Sequence, residues 1–247
     1  MAGNAASRRG SVMKRFGWVA ALAALVCVSA CTTPLIPYDR STANTKTVGL
    51  LTPGWPSGPV AFLASNVGAS FGLVGALVNA SMQSNRDSDL IALLADHQID
   101  GQAIFVAALT DDLQKEGYAV TPVDADQKRT GNLKKYPAAG ANAVDAYLDV
   151  AVTNYGYMAA GISKDAPYRP WVTVMVKLVS ASNGSVLMQD VVTYNSFVDL
   201  KNVILISPDP TYSFPVWDDV TADKDKAAQG VSASVKQTAA TIAGLMR

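Results

Sequence analysis

The chain has 247 residues, with 20 basic and 20 acidic side chains, one histidine, two cysteines and 49% hydrophobic residues. That balance excludes the clustered positive charge of a nucleic-acid-binding surface, and so few His and Cys exclude the usual His/Cys zinc site. Neither a metal nor another cofactor is expected.

The first element is a leader. Lys14 and Arg15 precede an unbroken apolar or small run from Phe16 to Val28. Thirteen residues are too few for a span, since a helix needs roughly 20 to cross a bilayer. A basic start, a short apolar middle and a small-residue end describe a secretory signal peptide. Met13-Lys14-Arg15 would itself be a typical start, so the mature reading is the same from Met1 or Met13. The end reads Val28-Ser29-Ala30-Cys31. This resembles the lipobox of bacterial lipoproteins. The resemblance implies cleavage between Ala30 and Cys31 and acylation of Cys31 with palmitate-type chains. Thr32, which is not Asp, implies sorting to the outer membrane, with the domain on its periplasmic face.

Removing residues 1–30, which hold Arg8, Arg9, Lys14, Arg15 and no acid, leaves 217 residues with 16 basic and 20 acidic side chains, a net charge of −4. Cys27 leaves with the leader, so no disulfide can form within the mature chain and the fold must rest on its core. Residues 31–45 carry the anchor and mix Pro, Thr, Ser and Asn without a period, as a linker does. Residues 46–247 suffice for a single domain.

Thr47 to Leu51 reads as a first strand, ended by Thr-Pro-Gly. From Val60 to Met82 small residues recur every fourth position: Ala64, Gly68, Gly72, Ala76, Ala80 and then Ser84. On a helix over 59–85 they would form one stripe that lets another backbone come close. Three roles are open to it. It could pack against the sheet, insert into a membrane, or form an oligomer seam through Gly68, Gly72 and Ala76. Ser65, Asn66, Ser70, Asn79 and Ser81 oppose insertion. Gly68-Ala69-Ser70-Phe71-Gly72 also fits the G-x-S-x-G elbow of serine hydrolases. The sole histidine, His97, follows Ser70 too closely for the intervening strands and acid, and Ser70 is already accounted for by the helical period. His97 is expected to be solvated or to cap a helix.

Gly101 to Glu116 reads as a helix with Ile104, Ala107, Ala108 and Leu113 on one side, stopped by Gly117. Tyr118 to Val123 is a second strand, completing a βαβ unit. Asp124 to Lys128 opens like a calcium loop, but Lys128 falls where a ligand belongs. Lys128, Arg129, Lys134 and Lys135 mark a loop that is either solvated or suited to an anionic headgroup. Val144 to Asn154 alternates Ala146, Leu148, Val150 and Val152 against Asp145, Asp149 and Thr153, so it is a half-buried strand. Tyr155, Tyr157, Tyr168 and Trp171 cluster around the next connection, either as an exposed docking patch or packed on the sheet. Trp171 to Ser180 and Ser185 to Asn195 form a hairpin about Asn183-Gly184, where both residues tolerate positive φ. Lys226 to Met246 closes the chain as a helix.

The expected fold is α/β, with a mixed sheet of about five strands and helices on one face. This order resembles the α/β domain of curli-secretion lipoproteins, Tol-system amino-terminal domains and lipoprotein activators of peptidoglycan synthases. The resemblance and the leader imply a non-catalytic adaptor that binds an envelope protein or peptidoglycan. The alternatives are a subunit of a secretion or transport assembly, and a periplasmic serine hydrolase using Ser70.

Overall fold

Strand β4, Ala146–Ala159, runs through the middle of the molecule and organises everything else. The structure, a computed structural model, describes residues 35–64, 72–138, 140–162, 165–196 and 200–247. Along one edge of β4 lie β1 (Thr47–Leu51), then Gly54, then β2 (Val60–Leu63), all parallel to it. Gly54 joins the ladder in both directions: its N–H donates to the Val150 carbonyl and its own carbonyl accepts from the Val152 N–H, each at 2.9 Å. The other edge of β4 pairs antiparallel with β5 (Arg169–Ser180), across a bulge between Val152 and Asn154.

Beyond β1 lies the parallel edge strand β3 (Ala119–Val123); beyond β5 come antiparallel β6 (Val186–Tyr194) and short, parallel β7 (Ile204–Ile206). The sheet therefore has seven strands in the order β3-β1-β4-β5-β6-β7, with β2 on β4. The two strands beyond the expected five are β2 and β7, of four and three residues. Pro122 is tolerated in β3 because an edge strand leaves one row of N–H groups unused.

Five helices complete the described fold: α1 (Arg40–Ala43), α2 (Gly72–Asp96), α3 (Gly101–Lys115), α4 (Trp217–Ala222) and α5 (Lys224–Gly244). One core unites the last four with the sheet, α1 burying no residue. Leu90 and Leu93 from α2, Phe105, Leu109 and Leu113 from α3, and Val231, Val235 and Ile242 from α5 meet Leu148, Val150, Val174 and Val176. On α3 the buried stripe is Gly101, Phe105, Leu109 and Leu113, at every fourth residue. The expected face is thus rotated: Leu113 is in it, Ile104 and Ala108 flank it, and Ala107 is exposed. Asp100 caps α3 by accepting the Ala103 N–H at 2.9 Å.

The helix expected over 59–85 is corrected at both ends. Residues 60–63 are a strand, and the helix continues to Asp96. Strand β2 can lie against β4 because Gly156 has φ +136° and no side chain; a Cβ there would overlap the Val60 backbone. Among the described residues no helix is long and apolar enough to cross a membrane.

The hairpin forms where Asn-Gly places it, with a different turn. Only Gly184 takes positive φ (+73°), its N–H donates to the Ser180 carbonyl at 3.0 Å, and Asn183 instead accepts the Ser185 N–H on its side chain. The connection from Ser180 to Val186 is five residues long, so Asn183 is freed from the left-handed conformation that a two-residue turn would require.

Candidate functional site

The face of the sheet away from the helices is covered by residues 124–145, and its centre is ionic. Asp149 on β4 is completely buried, although the alternation of its strand assigns it to solvent. The Arg129 Nη2 donates to Asp149 Oδ1 at 2.8 Å and to the Val150 carbonyl at 3.0 Å; Nη1 donates to the carbonyls of Thr52 and Asp126. The second carboxylate oxygen accepts the Leu133 N–H at 2.6 Å and the Tyr136 hydroxyl at 2.9 Å. Burial beside that carboxylate drives the Tyr136 phenol well above its ordinary value and keeps it a donor. Arg129 is therefore not a surface cation for a headgroup. It pins the loop, while Leu133, Tyr136 and Val144 pack around Leu51, Val123 and Tyr147.

His97 is neither free nor merely solvated. It follows α2, with Nδ1 2.9 Å from the Leu93 carbonyl and Nε2 2.9 Å from Asp225 Oδ1 at the start of α5. A carbonyl only accepts, so Nδ1 carries hydrogen; a carboxylate partner then favours hydrogen on Nε2 as well. The Leu93 bond first, and Asp225 next, raise the pKa above 6.5. An imidazole held on both nitrogens is poorly suited to act as a general base.

Of the two placements open to the aromatic cluster, three members take the buried one, which corrects their use as a docking patch. Tyr157 is fully enclosed, donates to the Ala227 carbonyl at 3.0 Å and meets the Phe214 ring at 5.7 Å. Tyr155 packs on Trp55 and Tyr168 on Trp217, at 5.2 and 5.3 Å between ring centres. Trp171 is half-buried against Phe62. Ala30, Cys31, Gly68 and Ser70 lie outside the described residues, as do the side-chain environments of Gly72 and Ala76 on α2.

The surface offers a groove at the carboxyl ends of β1 and β3, beside the first half of α3. Its volume is about 380 Å³, with Leu50, Val106, Val120 and Pro122 as apolar walls and Gln102 and Gln127 among its polar groups. A concave apolar surface with a few polar groups is the general form of a recognition site. The periodicity of α3 could have revealed the groove, because Val106 and Thr110 fall beside the Phe105/Leu109 stripe. Its strand wall could not be read, since pairing β3 with β1 is a tertiary fact.

The stretch expected to serve as linker is bound to the domain from Ile36 onward. Ile36 exchanges two backbone hydrogen bonds with Gln189 on β6, at 2.8 and 2.9 Å. Asp39 caps α1 through the N–H groups of Ser41 and Thr42. Arg40 donates to the Glu116 carbonyl at 2.8 Å and lies 4.7 Å above the Tyr118 ring.

No protein-family model matches the chain, and no curated protein matches it. Among solved structures, lipoprotein GNA1162 from Neisseria meningitidis aligns at 14% identity and a TM-score of 0.32, over 60% of this chain and 81% of that one. A PelC variant dodecamer from Paraburkholderia phytofirmans aligns at 13% identity and 0.36, over 87% and 96%. A PelC dodecamer from the same organism in a second crystal form aligns at 14% and 0.31, over 82% and 94%. Scores at this level transfer no property of those proteins to this chain.

Proposed function

We propose that the protein is a lipoprotein, tethered through acylated Cys31 to the periplasmic face of the outer membrane, that works as a non-catalytic adaptor for another envelope protein. The observation that carries this reading is the leader: Lys14-Arg15, a thirteen-residue apolar run, and Val28-Ser29-Ala30 directly before Cys31. Two or more acyl chains hold a protein far beyond marginal binding, at about 0.8 kcal/mol per buried methylene. The non-catalytic part is supported by how the titratable groups are used. Asp149, Arg129, His97 and Tyr157 are each engaged in a bond that holds two elements together. The groove between α3 and β3 is the surface offered to the partner, with apolar walls to bury and amide groups to orient.

Two measurements test this. Mass analysis of the mature protein should find Cys31 at the amino terminus with its acyl chains, and Cys31→Ser should leave the leader uncut. Normal processing and membrane retention of Cys31→Ser would overturn the anchor. A photo-crosslinker at Val106 in the native envelope should then capture a protein, and Ala103→Arg in the groove wall should abolish that capture without lowering stability. Unchanged capture would remove the groove from the proposal.

A further inference from the structure

The docking of Ile36 has a consequence for orientation that depends on the anchor proposed above. Between Cys31 and Ile36 there are five backbone steps, which at full extension reach about 18 Å. Ile36 is fixed by two hydrogen bonds to Gln189, on the outer edge of β6. This edge is therefore held within about 18 Å of the bilayer surface; β3 lies four strand intervals away, about 19 Å farther across the sheet.

The same edge carries exposed apolar side chains. Among the described residues eight large hydrophobics are exposed; three of them, Leu35, Val186 and Leu205, lie on or beside the outer edge of β6, and a fourth, Leu200, lies in the connection that leads into β7. Leu35 adjoins the bridge residue Ile36, Val186 begins β6, Leu205 is the middle residue of β7, and Leu200 precedes β7 in the connection from β6. Leu205 is 54% exposed and Leu35 43%. Lys201, also exposed, stands beside Leu200. Scattered apolar residues need no explanation, but a group that shares one edge with the tether does.

Prolines narrow the choice of partner. Pro37 follows Ile36 and Pro208 stands two residues beyond β7, and each removes a backbone donor where a further strand would pair. Such an edge is poorly made for another β-strand. A lipid surface needs no backbone bonds, accepts leucines at the headgroup boundary and attracts a lysine if the headgroups are anionic.

We infer that the outer edge of β6, with Leu35, Leu200 and Leu205, is a membrane-contacting surface that lays the domain against the bilayer and turns the α3–β3 groove away from it.

The test uses the full-length protein, processed in cells and reconstituted into phosphatidylethanolamine–phosphatidylglycerol vesicles. With Cys31 acylated, one introduced cysteine is the only free thiol. An environment-sensitive fluorophore is placed in turn at Leu200→Cys, Leu205→Cys and, on the far edge, Thr121→Cys, each variant being checked for unchanged thermal unfolding. Headgroup-labelled nitroxide lipid should quench the first two and shift their emission to the blue, leaving Thr121→Cys unaltered. Equal quenching at all three sites, or quenching at Thr121→Cys alone, would overturn the orientation and leave the anchor standing. Failure to find acyl chains on Cys31 by mass would remove the anchor, and the orientation with it.

Discussion

The two faces of the sheet are built from the same strands by different chemistry. On the helix side, residues 148, 150 and 152 of β4 present Leu and Val to α2, α3 and α5, and the contact is almost wholly apolar. On the loop side, residue 149 presents a carboxylate, and three donors converge on it: the Arg129 guanidinium, the Leu133 N–H and the Tyr136 hydroxyl. Apolar burial is non-directional and tolerates small shifts of a helix. An enclosed ion pair does not, because its attraction offsets desolvation only when geometry and additional hydrogen bonds are right. The helix side thus provides bulk stability, and the loop side provides a single defined path for residues 124–145.

Truncation on each side should separate these roles. Phe105→Ala removes a fully buried ring from α3 and should cost about 3–5 kcal/mol, lowering the denaturation midpoint and the protection of every core amide together. Arg129→Met leaves the Asp149 carboxylate enclosed without its cation and should cost about 3–5 kcal/mol as well. Here hydrogen exchange should rise first at Leu133 and its neighbours, before the helices. The double variant with Asp149→Leu should recover only part of the loss: no charge is left stranded, but the Leu133 N–H and the Tyr136 hydroxyl lose their acceptor. If Arg129→Met exposes helix and loop amides alike, the two faces do not differ in the way described.

Asp190 is the exception on the helix side, and its removal should stabilise. It lies on β6 between Met188 and Val192, both in the apolar core, is 5% exposed, and its carboxyl receives no hydrogen bond among the described residues. Desolvation raises its pKa from 3.8 to about 6. The folded state therefore binds this proton more tightly than the unfolded one. Stability is highest below the unfolded value, falls as pH rises through the folded one, and stays lower above it. Asp190→Asn should gain about 2 kcal/mol at neutral pH, seen as a raised Tm near pH 7.5 with the gain gone near pH 4. A gain that persists in acid would assign the effect to packing instead of charge.

The difference between the faces also explains what could be read from the sequence. The apolar side announces itself: Leu148, Val150 and Val152 alternate, and Gly117 stops α3. Asn183-Gly184 marks the hairpin, although Gly184 alone takes the left-handed conformation. The loop side gave the opposite signal, because an Asp in an alternating strand reads as solvent-facing until its covering segment is known. Leu133, Tyr136 and Val144 have no period, so nothing local says that they cover anything. Strand β2 was hidden inside a helix-like run of small residues, where only Gly156, almost a hundred positions away, makes room for it. Three-residue β7 is too short to show a period. Of the candidate site, the anchor motif is wholly a sequence feature, whereas the groove and the docked segment from Ile36 depend on long-range pairing.

The smallest effect expected is at the one titratable clamp in which His97 takes part, between the end of α2 and the start of α5. Its pKa is raised by the Leu93 carbonyl and then by Asp225, so the bound proton stabilises the folded state. That contribution is complete below the unfolded value of 6.5 and is lost as pH rises through the higher folded value. Asp225 is largely exposed, which lets water and salt screen the pair and keeps its share of stability small. A direct reading comes from the single imidazole of the chain, whose ring-proton resonances titrate without overlap from any other histidine. The midpoint should lie above 6.5 in the native protein and move down in Asp225→Asn, with the Leu93 bond keeping part of the elevation. The difference in denaturation midpoint between native protein and His97→Ala should narrow from mildly acidic to alkaline pH. A native midpoint at or below 6.5 would mean that the His97 contact adds no proton-linked stability, leaving the exposed Lys224–Asp96 pair, 3.7 Å apart, as the charge contact between α2 and α5.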